Sequence, residues 1–398
     1  MENINEKKLK IGLFIDTFFP MVDGVVVVVD NYARRLSKIA DVTVFAPRGR
    51  KDFDDSTLPY KVVRCRSRLP LFFLDYDLPL PNFDKNFKKE LLSSNLDIVH
   101  IHSPFSLGKQ GMKYAKKHNI PLISTMHSQF KKDFLKNTHS KLISNIMLKK
   151  IMKVFNSCDE CWAVNDNISK VFVEYGANKT PKTQNNGTDL KLVNDNSKIE
   201  ELRKKYNILK EEKVFLFVGR IDKLKNIFFI VESLKILKSK GFKFKMIFVG
   251  GGIDEKELQT KITNEKLEEN IILAGKIYDR NELACHYALA DLFLFPSLYD
   301  ASSLVQIEAS SQKTPTVFIK GAVTAGTVTD NVNGFLSENN ETAFAQKLMD
   351  IFSDEKFYNS VCESSYKDLY VLWDDAVKKA FGDYLILIEN KKRKDNNP

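Results

Sequence analysis

Residues 214–240 read VFLFVGRIDKLKNIFFIVESLKILKSK, an apolar run followed by a polar loop and a helical pattern. The run 214–218 is aromatic and β-branched, which is typical of a strand buried on both faces. The apolar residues of 227–240 recur with helical spacing, and the glycine-led loop 219–225 lies between the two patterns. A buried strand that leads through a loop into a helix is the repeating unit of a parallel α/β sheet.

The same unit recurs along most of the chain. We interpret ten apolar runs as strands, namely 9–15, 42–46, 98–101, 122–126 and 162–164 in the first half, and 214–218, 244–249, 271–273, 292–295 and 316–319 in the second. Helical patterns separate them, for example 29–39, 109–118, 199–206, 227–240 and 255–265. Two such series in tandem predict an α/β protein of two doubly wound, Rossmann-like domains.

The polar stretch after Val193 marks the predicted domain boundary. We expect an N-terminal domain over residues 1–195 and a C-terminal domain over residues 196–370. Residues 371–398 hold a helical pattern at 376–388, for which packing back on the first domain is one option. The polar tail 391–398 is expected to fray.

The composition limits the class of protein. The chain has 398 residues, a formal net charge of +10 and five cysteines. No apolar run reaches the roughly 18 residues that a membrane span needs, and the polar N-terminus lacks a signal core. Sparse cysteines favour a reducing compartment. We therefore expect a cytoplasmic protein.

The positive charge leaves several partners open. Nucleic acid, anionic membrane and phosphorylated substrates all attract a basic surface, and a solvated lysine-rich surface is the simplest alternative. No nucleic-acid-binding module accompanies the charge, so we expect no nucleic-acid partner.

Ligands of parallel sheets bind beyond the carboxyl ends of the strands. This rule selects four loops, 16–24, 127–133, 219–225 and 297–308. In the third loop, Arg220 and Lys225 can both reach an anion, and two fixed cations suit a diphosphate leaving group. The alternative is a pair of solvated surface cations. In the fourth loop, Asp300 and Glu308 can accept hydrogen bonds from sugar hydroxyls, or be an N-cap and an exposed helix acid.

Separated motifs in a fixed order give the chain a resemblance to a known family. They are DTFFPMVDGV (16–25), DIVHIHSPF (97–105), STMHS (124–128), NGTD (186–189), VGR (218–220) with Lys225, and Asp300 with Glu308 at Glu-x7-Glu spacing. Over residues 9–385 the sequence is similar to the family 4 retaining glycosyltransferases of the GT-B fold. The resemblance implies two Rossmann-like domains that face each other across a cleft, and diacylglycerol glucosyltransferases are among the similar members.

The resemblance also implies roles for particular residues. Arg220 and Lys225 would hold the donor diphosphate, Asp300 the transferred sugar and Glu308 the ribose. His127 would hydrogen-bond to the sugar or acceptor near the anomeric centre. The remaining residues that it implies around the donor are Gly24, Gly219, Gly250, Ser302, Ser303 and Leu304.

The implied donor is a nucleotide diphosphate sugar, UDP-linked and glucose-like, with no further cofactor and no metal. The implied acceptor is a lipid or glycan hydroxyl, with peripheral contact to the inner face of an anionic membrane. We expect front-face substitution, in which the departing phosphate accepts the acceptor's proton. The alternative is a non-transferring GT-B protein, either a nucleotide-sugar 2-epimerase or a sugar-nucleotide-binding module.

The sequence departs from the family pattern in one loop. Asp300 stands where the family usually has Glu, and its carboxylate is one methylene shorter. Ala301-Ser302-Ser303 replaces the usual Gly-Phe-Gly, which removes freedom at positive φ and adds two hydroxyls. These changes leave the identity of the donor sugar open.

Three further patterns have simpler interpretations. Cys158-Asp159-Glu160-Cys161 has the spacing of a zinc or redox motif, but a buried structural role is favoured because no second pair is near. Asp75-Tyr76-Asp77 imitates a metal motif within a loop rich in proline and aromatic residues. His100 and His102 share a strand face and are a candidate metal pair, but structural or acceptor-lining roles are favoured.

Two segments are candidates for lipid contact. Residues 130–155 mix lysines, among them Lys131, Lys132 and Lys136, with large apolar side chains. As a helix, this segment would suit an anionic membrane surface or simply pack its apolar side inward. The apolar loop 69–74 is the second candidate.

Overall fold

The computed structural model describes residues 8–49, 52–68 and 78–396. It divides the chain into a first unit of residues 1–186 and 373–398, and a second unit of residues 187–372. Residues 187–193 belong to the second unit because they are tied to it. The Val193 backbone N–H donates to Gln312 Oε1 at 2.8 Å, and Gln312 Nε2 donates to the Lys191 carbonyl at 2.8 Å. The sequence had placed these boundaries at 195/196 and 370/371.

The first unit is built on a seven-stranded parallel sheet with the order β3-β2-β1-β6-β7-β8-β9. Its strands are β1 (Lys10–Phe14), β2 (Asp41–Pro47), β3 (Lys61–Cys65), β6 (Ile98–Ile101), β7 (Leu122–Met126), β8 (Glu160–Ala163) and β9 (Lys182–Thr183), and β4 (Ser67–Arg68) and β5 (Leu78–Pro79) form a separate antiparallel pair. Its helices are α1 (Gly24–Leu36), α2 (Lys85–Ser93), α3 (Ser106–His118), α4 (Phe130–Thr138), α5 (Lys141–Phe155), α6 (Asp166–Glu174) and α14 (Trp373–Asn396).

The second unit is built on a six-stranded parallel sheet with the order β12-β11-β10-β13-β14-β15. Its strands are β10 (Lys213–Val218), β11 (Phe244–Val249), β12 (Ile271–Gly275), β13 (Leu292–Leu294), β14 (Thr316–Ile319) and β15 (Phe335–Ser337). Its helices are α7 (Asn196–Lys205), α8 (Ile227–Ser239), α9 (Glu255–Asn264), α10 (Arg280–Leu289), α11 (Leu304–Ser310), α12 (Glu341–Ile351) and α13 (Glu355–Leu369).

Both sheets confirm the predicted fold class. They also place three of the candidate loops at the carboxyl ends of strands where the strand order reverses. In each sheet the strand order reverses beside the first strand, at β1 and β6 in the first unit and at β10 and β13 in the second. Ligands of doubly wound sheets bind at this reversal, beyond the carboxyl ends of the strands. Loops 16–24, 219–225 and 297–303 all leave from these strand ends.

The last helix belongs to the first unit, although it follows the second in sequence. The fully buried Tyr384 of α14 stacks on Trp162 of β8, with the ring centroids 5.7 Å apart and the planes 5° from parallel. Near the start of α14, Asp374 pairs with Arg35 of α1 at 2.7 Å. The helix continues to Asn396, so the expectation of a frayed tail from residue 391 was wrong for the described residues. Lys391 helps to hold it there through an ion pair with Asp159 at 3.1 Å.

Several other elements differ from the sequence prediction. The first helix begins at Gly24 rather than at residue 29, because the Asp23 carboxylate caps it by accepting from the N–H groups of Val25 and Val26. Its valine run favours a strand by local preference, and the cap and burial override that preference. Segment 130–155 forms two helices, which are broken at His139 by a left-handed backbone (φ 50°). Strands β3, β4, β5, β9 and β15 were not predicted.

The backbone of the second sheet is tightly packed where β10 and β11 end. Gly250 has φ +142°, and a Cβ added there would lie 1.8 Å from the carbonyl oxygen of Gly219. Gly241 also has a positive φ, of +76°, but an added Cβ would meet nothing within 4 Å.

We expect Gly250→Ala to lower the free energy of unfolding of the second unit by about 3 kcal/mol or more, through backbone strain and overpacking. The matched control Gly241→Ala carries only the backbone strain and should cost about 1 kcal/mol. Urea unfolding followed by circular dichroism measures both. Equal losses in the two variants would show that the contact between Gly250 and Gly219 does not constrain the fold.

Candidate active site

The loop after β10 presents three cations in different environments. The Arg220 side chain is 71% exposed and approaches the Asp222 carboxylate at 3.4 Å. The Lys225 side chain is only 14% exposed, and its Nζ lies 2.5 Å from Asp300 Oδ1. The third cation, Lys223, is an exposed residue paired with Glu257 at 2.8 Å. Asp222 fixes the turn by accepting from the Lys225 backbone N–H at 3.2 Å.

The loop after β13 carries Asp300 and is organised by Ser297. The Ser297 hydroxyl oxygen accepts from the backbone N–H groups of Tyr299 at 3.3 Å and Asp300 at 3.4 Å. The same hydroxyl donates to the Leu224 carbonyl at 3.2 Å and so ties the two loops together. Ser303, not Asp300, caps α11 by accepting from the Gln306 N–H at 3.1 Å. Asp300 is therefore a partner of Lys225 rather than a helix cap.

Glu308 lies on α11 and is buried, with 9% of its surface exposed. Its Oε1 accepts from Arg280 at 2.6 Å, and its Oε2 accepts from the Tyr287 hydroxyl at 2.9 Å. This is not the exposed helix acid that the sequence left open. A carboxylate with a donor on each oxygen is fixed in orientation.

Arg280 and Tyr287 were not singled out from the sequence. Both lie on α10, and their spacing of seven residues puts them on one face of that helix. The sequence signal that could have found them is the presence of an arginine and a tyrosine on one face of a helix. Their common partner, Glu308, could not be predicted, because it lies on α11, beyond β13, and meets α10 only in the folded chain.

Gly250 and Gly252 let the strand-end loops of the second unit approach each other. The Gly219 N–H donates to the Val249 carbonyl at 3.0 Å, and the Gly250 N–H donates to the Gly275 carbonyl at 2.8 Å. An added Cβ at Gly252 would lie 2.2 Å from the Ile221 carbonyl oxygen. Ser302 in the neighbouring loop and Leu304, the first residue of α11, are half-buried.

The predicted residues of the first unit lie at the ends of β1, β6 and β7. Gly24 is the first residue of α1, and an added Cβ there would meet no described atom within 4 Å. Asp16 is buried and accepts from Ser103 Oγ at 2.7 Å and from the Leu107 N–H at 2.8 Å. Burial raises the Asp16 pKa in spite of these hydrogen bonds.

Three histidines form a cluster in the first unit. His100 on β6 bonds to the Tyr384 hydroxyl at 2.6 Å and to Thr125 Oγ1 at 2.7 Å, a structural role. His102 follows β6 and His127 follows β7, and His102 Nδ1 lies 3.1 Å from His127 Nε2. The His102–His127 contact was not predicted.

Burial keeps these three rings neutral. It lowers the pKa of His127 to about 3, and it lowers the pKa of His100 and of His102 well below the usual value, with a smaller contribution from the neighbouring rings.

The other motifs noted in the sequence are the cysteine pair 158/161, the motif 75–77 and the apolar loop 69–74. Cys158 is buried and Cys161 is half-buried, and the Ser124 hydroxyl lies 3.2 Å from Cys161 Sγ. Within the described ranges, no three His, Cys, Asp or Glu side chains come together as metal ligands. Asp75–Asp77 and the loop 69–74 lie outside the described residues. None of the helices in the described part of the chain combines the length and apolar character that a bilayer crossing requires.

Two solved structures illustrate the similarity of the fold. The chain superposes on sucrose-phosphate synthase of Thermosynechococcus elongatus with a TM-score of 0.77 and 19% identity, covering 96% of this chain and 100% of that one. It superposes on Anabaena HepE, solved with UDP and glucose, with a TM-score of 0.72 and 18% identity over 95% and 99% of the two chains. The two Rossmann-like units are those of a GT-B glycosyltransferase.

Sequence comparison gives the family. Residues 22–192 match the model "Glycosyltransferase Family 4", and residues 198–368 match "Glycosyl transferases group 1". The chain belongs to glycosyltransferase family 4.

Two similar curated proteins have related names. An alpha-monoglucosyldiacylglycerol synthase of Acholeplasma laidlawii is 27% identical over 84% of this chain and 86% of its own length. A GDP-mannose-dependent alpha-mannosyltransferase of Corynebacterium glutamicum is 26% identical over 83% and 77%.

The neutral histidine cluster predicts loss of stability in acid. Unfolded histidines bind protons below about pH 6.5, whereas folded His127 stays neutral down to about pH 3. The unfolded state therefore binds more protons in this window, and the stability of the first unit should fall as the pH is lowered through it.

We expect His127→Gln to reduce this dependence by about 1 kcal/mol per pH unit, because one titrating ring is removed. Urea unfolding at several pH values between about 4 and 7 measures the slope. His118→Gln on the exposed end of α3 is the matched control and should keep the wild-type slope. A slope unchanged in His127→Gln would contradict the neutral buried state.

Proposed function

We propose that this chain transfers a hexose, with retention of configuration, from a nucleotide diphosphate sugar to a lipid or glycan hydroxyl. A glucose donor is favoured by the name of the Acholeplasma laidlawii relative, an alpha-monoglucosyldiacylglycerol synthase, and a UDP-linked donor by Anabaena HepE, which was solved with UDP and with UDP-glucose. The Corynebacterium glutamicum relative uses GDP-mannose by name, and it is the alternative for the donor. The observation that carries the proposal is the pairing of half-buried Lys225 with Asp300 in the loop that also carries exposed Arg220.

The two cations suit a diphosphate leaving group. An ammonium has three N–H donors, and the contact with Asp300 uses one of them. Arg220 is mostly exposed and adds a forked donor suited to phosphate oxygens. In this proposal Lys225 and Arg220 bind the diphosphate and stabilise the charge that develops as it leaves.

The two carboxylates suit the hydroxyl groups of the donor. Asp300 is drawn towards Lys225, so a sugar hydroxyl bound by Asp300 would lie close to the diphosphate. Glu308 keeps its orientation through Arg280 and Tyr287, and we assign it to the ribose hydroxyls.

Front-face substitution is the proposed reaction. The bond from the anomeric carbon to the phosphate oxygen breaks, and the acceptor oxygen forms a new bond on the same face. The acceptor's proton passes to the departing phosphate, so atoms and charges balance. Both site carboxylates of the second unit are engaged by cations, which favours this route over a carboxylate nucleophile. The protein then contributes positioning and charge stabilisation.

We expect Arg220→Ala to reduce kcat for transfer by about 100-fold or more, because one fixed positive charge on the leaving group is lost. The residue is mostly exposed, so unfolding should not change. Release of free nucleotide from a panel of sugar nucleotides, with membrane lipid as acceptor, measures the rate.

Lys223→Ala is the matched control, since Lys223 is an exposed cation of the same loop that pairs with Glu257. Its rate should stay near that of the wild type. Near-normal turnover in Arg220→Ala would contradict the assignment. Donor binding by the wild type without any release would favour the sugar-nucleotide-binding module.

We further propose that α4 and α5 rest on the inner face of an anionic membrane, where a lipid acceptor is reached. Four large apolar side chains of these helices are exposed: Leu135, Leu142, Ile143 and Ile146. Leu142 is the most exposed of them, at 71%. Exposed lysines flank them, namely Lys131, Lys132, Lys136, Lys141, Lys149, Lys150 and Lys153. Apolar side chains among lysines suit the headgroup region of an anionic bilayer.

We expect the triple variant Lys131→Glu, Lys132→Glu, Lys136→Glu to bind anionic vesicles about 100-fold more weakly. Each lysine near an anionic surface contributes about 1 kcal/mol, and the added acids are repelled. Vesicle sedimentation at low salt measures the affinity. The control reverses three exposed lysines of α2 in the same unit, Lys85, Lys88 and Lys89, and should keep most of the binding. Equal losses in the two triple variants would contradict a specific contact through α4 and α5.

A further inference from the structure

The hydrogen bond between His102 and His127 can be donated by either ring, depending on which nitrogen carries the proton. His102 is 2% exposed and His127 is half-buried, and their rings stack at 5.3 Å with 21° between the planes. The hydrogen bond joins Nδ1 of His102 to Nε2 of His127 at 3.1 Å. Each neutral imidazole carries one proton, so one ring must donate and the other must accept.

Packing holds the His102 ring in place. His100 lies against it with the ring centroids 4.0 Å apart, and the ring of Tyr32 meets it edge-on at 5.8 Å. His100 is itself fixed by Tyr384 and Thr125. The direction of the His102 nitrogens is therefore set by the fold of the first unit.

The second nitrogen of His102 indicates which ring donates. Among the described residues, buried His102 Nε2 has no hydrogen-bond partner. A buried N–H without a partner is rarer than a buried acceptor without one. The arrangement of lower energy therefore leaves Nε2 bare and puts the proton of His102 on Nδ1, where it is used in the bond to His127.

This placement determines the state of His127. Its Nε2 accepts the hydrogen bond from the Nδ1–H group of His102, so the single proton of neutral His127 must lie on Nδ1. Burial lowers the pKa of both rings, which keeps both of them neutral at physiological pH.

We propose that His102 is a positioning residue that holds His127 as the tautomer protonated on Nδ1, so that His127 offers its substrate a hydrogen-bond donor. The identity of that substrate, a sugar or acceptor hydroxyl, rests on the proposed function. His127 in this state donates to an oxygen and does not act as a general base. This agrees with a reaction in which the departing phosphate takes the acceptor's proton.

Nitrogen NMR of histidine tests the tautomer without any substrate. The chain has six histidines, so protein labelled with ¹⁵N-histidine gives few signals, and loss of one ring pattern in His127→Gln assigns His127. We expect His127 to show a protonated Nδ1 and a bare Nε2 in the wild type. The opposite tautomer in the wild type would overturn the proposal.

Two variants of His102 test the cause. His102→Phe keeps the ring but has no donor, so the proton of His127 should move at least partly to Nε2. His102→Asn has an amide N–H that can replace the lost donor, so it should restore the wild-type pattern. His118→Phe, the same change on the exposed end of α3, should leave the His127 signals unchanged. An unchanged His127 in folded His102→Phe would overturn the proposal, and the wild-type spectrum decides the tautomer if that variant does not fold.

Kinetics separate positioning from a general loss of structure. We expect His102→Phe to lower kcat about tenfold at unchanged KM for the donor, and His102→Asn to recover most of it. A change in KM alone would contradict a role in the reacting state. If the wild type releases no nucleotide, the proposed function fails, while the NMR result on the tautomer still stands.

Discussion

The ion pair between Lys225 and Asp300 joins two loops whose residues are 75 positions apart in the chain. The loops leave β10 and β13, which are neighbours at the point where the strand order of the second sheet reverses. A buried lysine without a partner would pay a large desolvation cost, so the carboxylate is needed for the cation to remain there. The same pairing places a positive and a negative group side by side. Both groups suit a sugar diphosphate, because its phosphates bind cations and its hydroxyls donate hydrogen bonds to acceptors.

A second set of contacts fixes the other carboxylate of the candidate site. Glu308 is held by Arg280 and Tyr287 from a helix that precedes β13. In the first unit, the corresponding strand ends hold a buried aspartate and a chain of neutral histidines. The charged groups that we assign to the proposed donor are thus concentrated in the second unit. The histidines of the first unit offer uncharged hydrogen-bonding groups, whose direction depends on which nitrogen carries a proton.

The sequence predicted the class of fold because parallel sheets leave a strong pattern of buried runs and intervening helices. It also predicted that Arg220, Lys225, Asp300 and Glu308 lie beyond strand ends, which follows from their position after those runs. The partners of Glu308 were not predicted, because Arg280 meets it only after α10 packs against α11. The His102–His127 contact likewise depends on the pairing of β6 with β7. Local signals misplaced the start of α1, where a run of valines resembles a strand until its cap and burial are known.

Retention of configuration is the claim on which the proposed front-face reaction depends. The most direct measurement is the proton NMR spectrum of the product formed from an α-linked UDP-sugar and a lipid or glycan acceptor. The anomeric proton reports the configuration of the new bond. The account predicts an α-linked product, with release of one UDP for each sugar transferred. A β-linked product would contradict it, because inversion requires attack from the face opposite to the leaving phosphate.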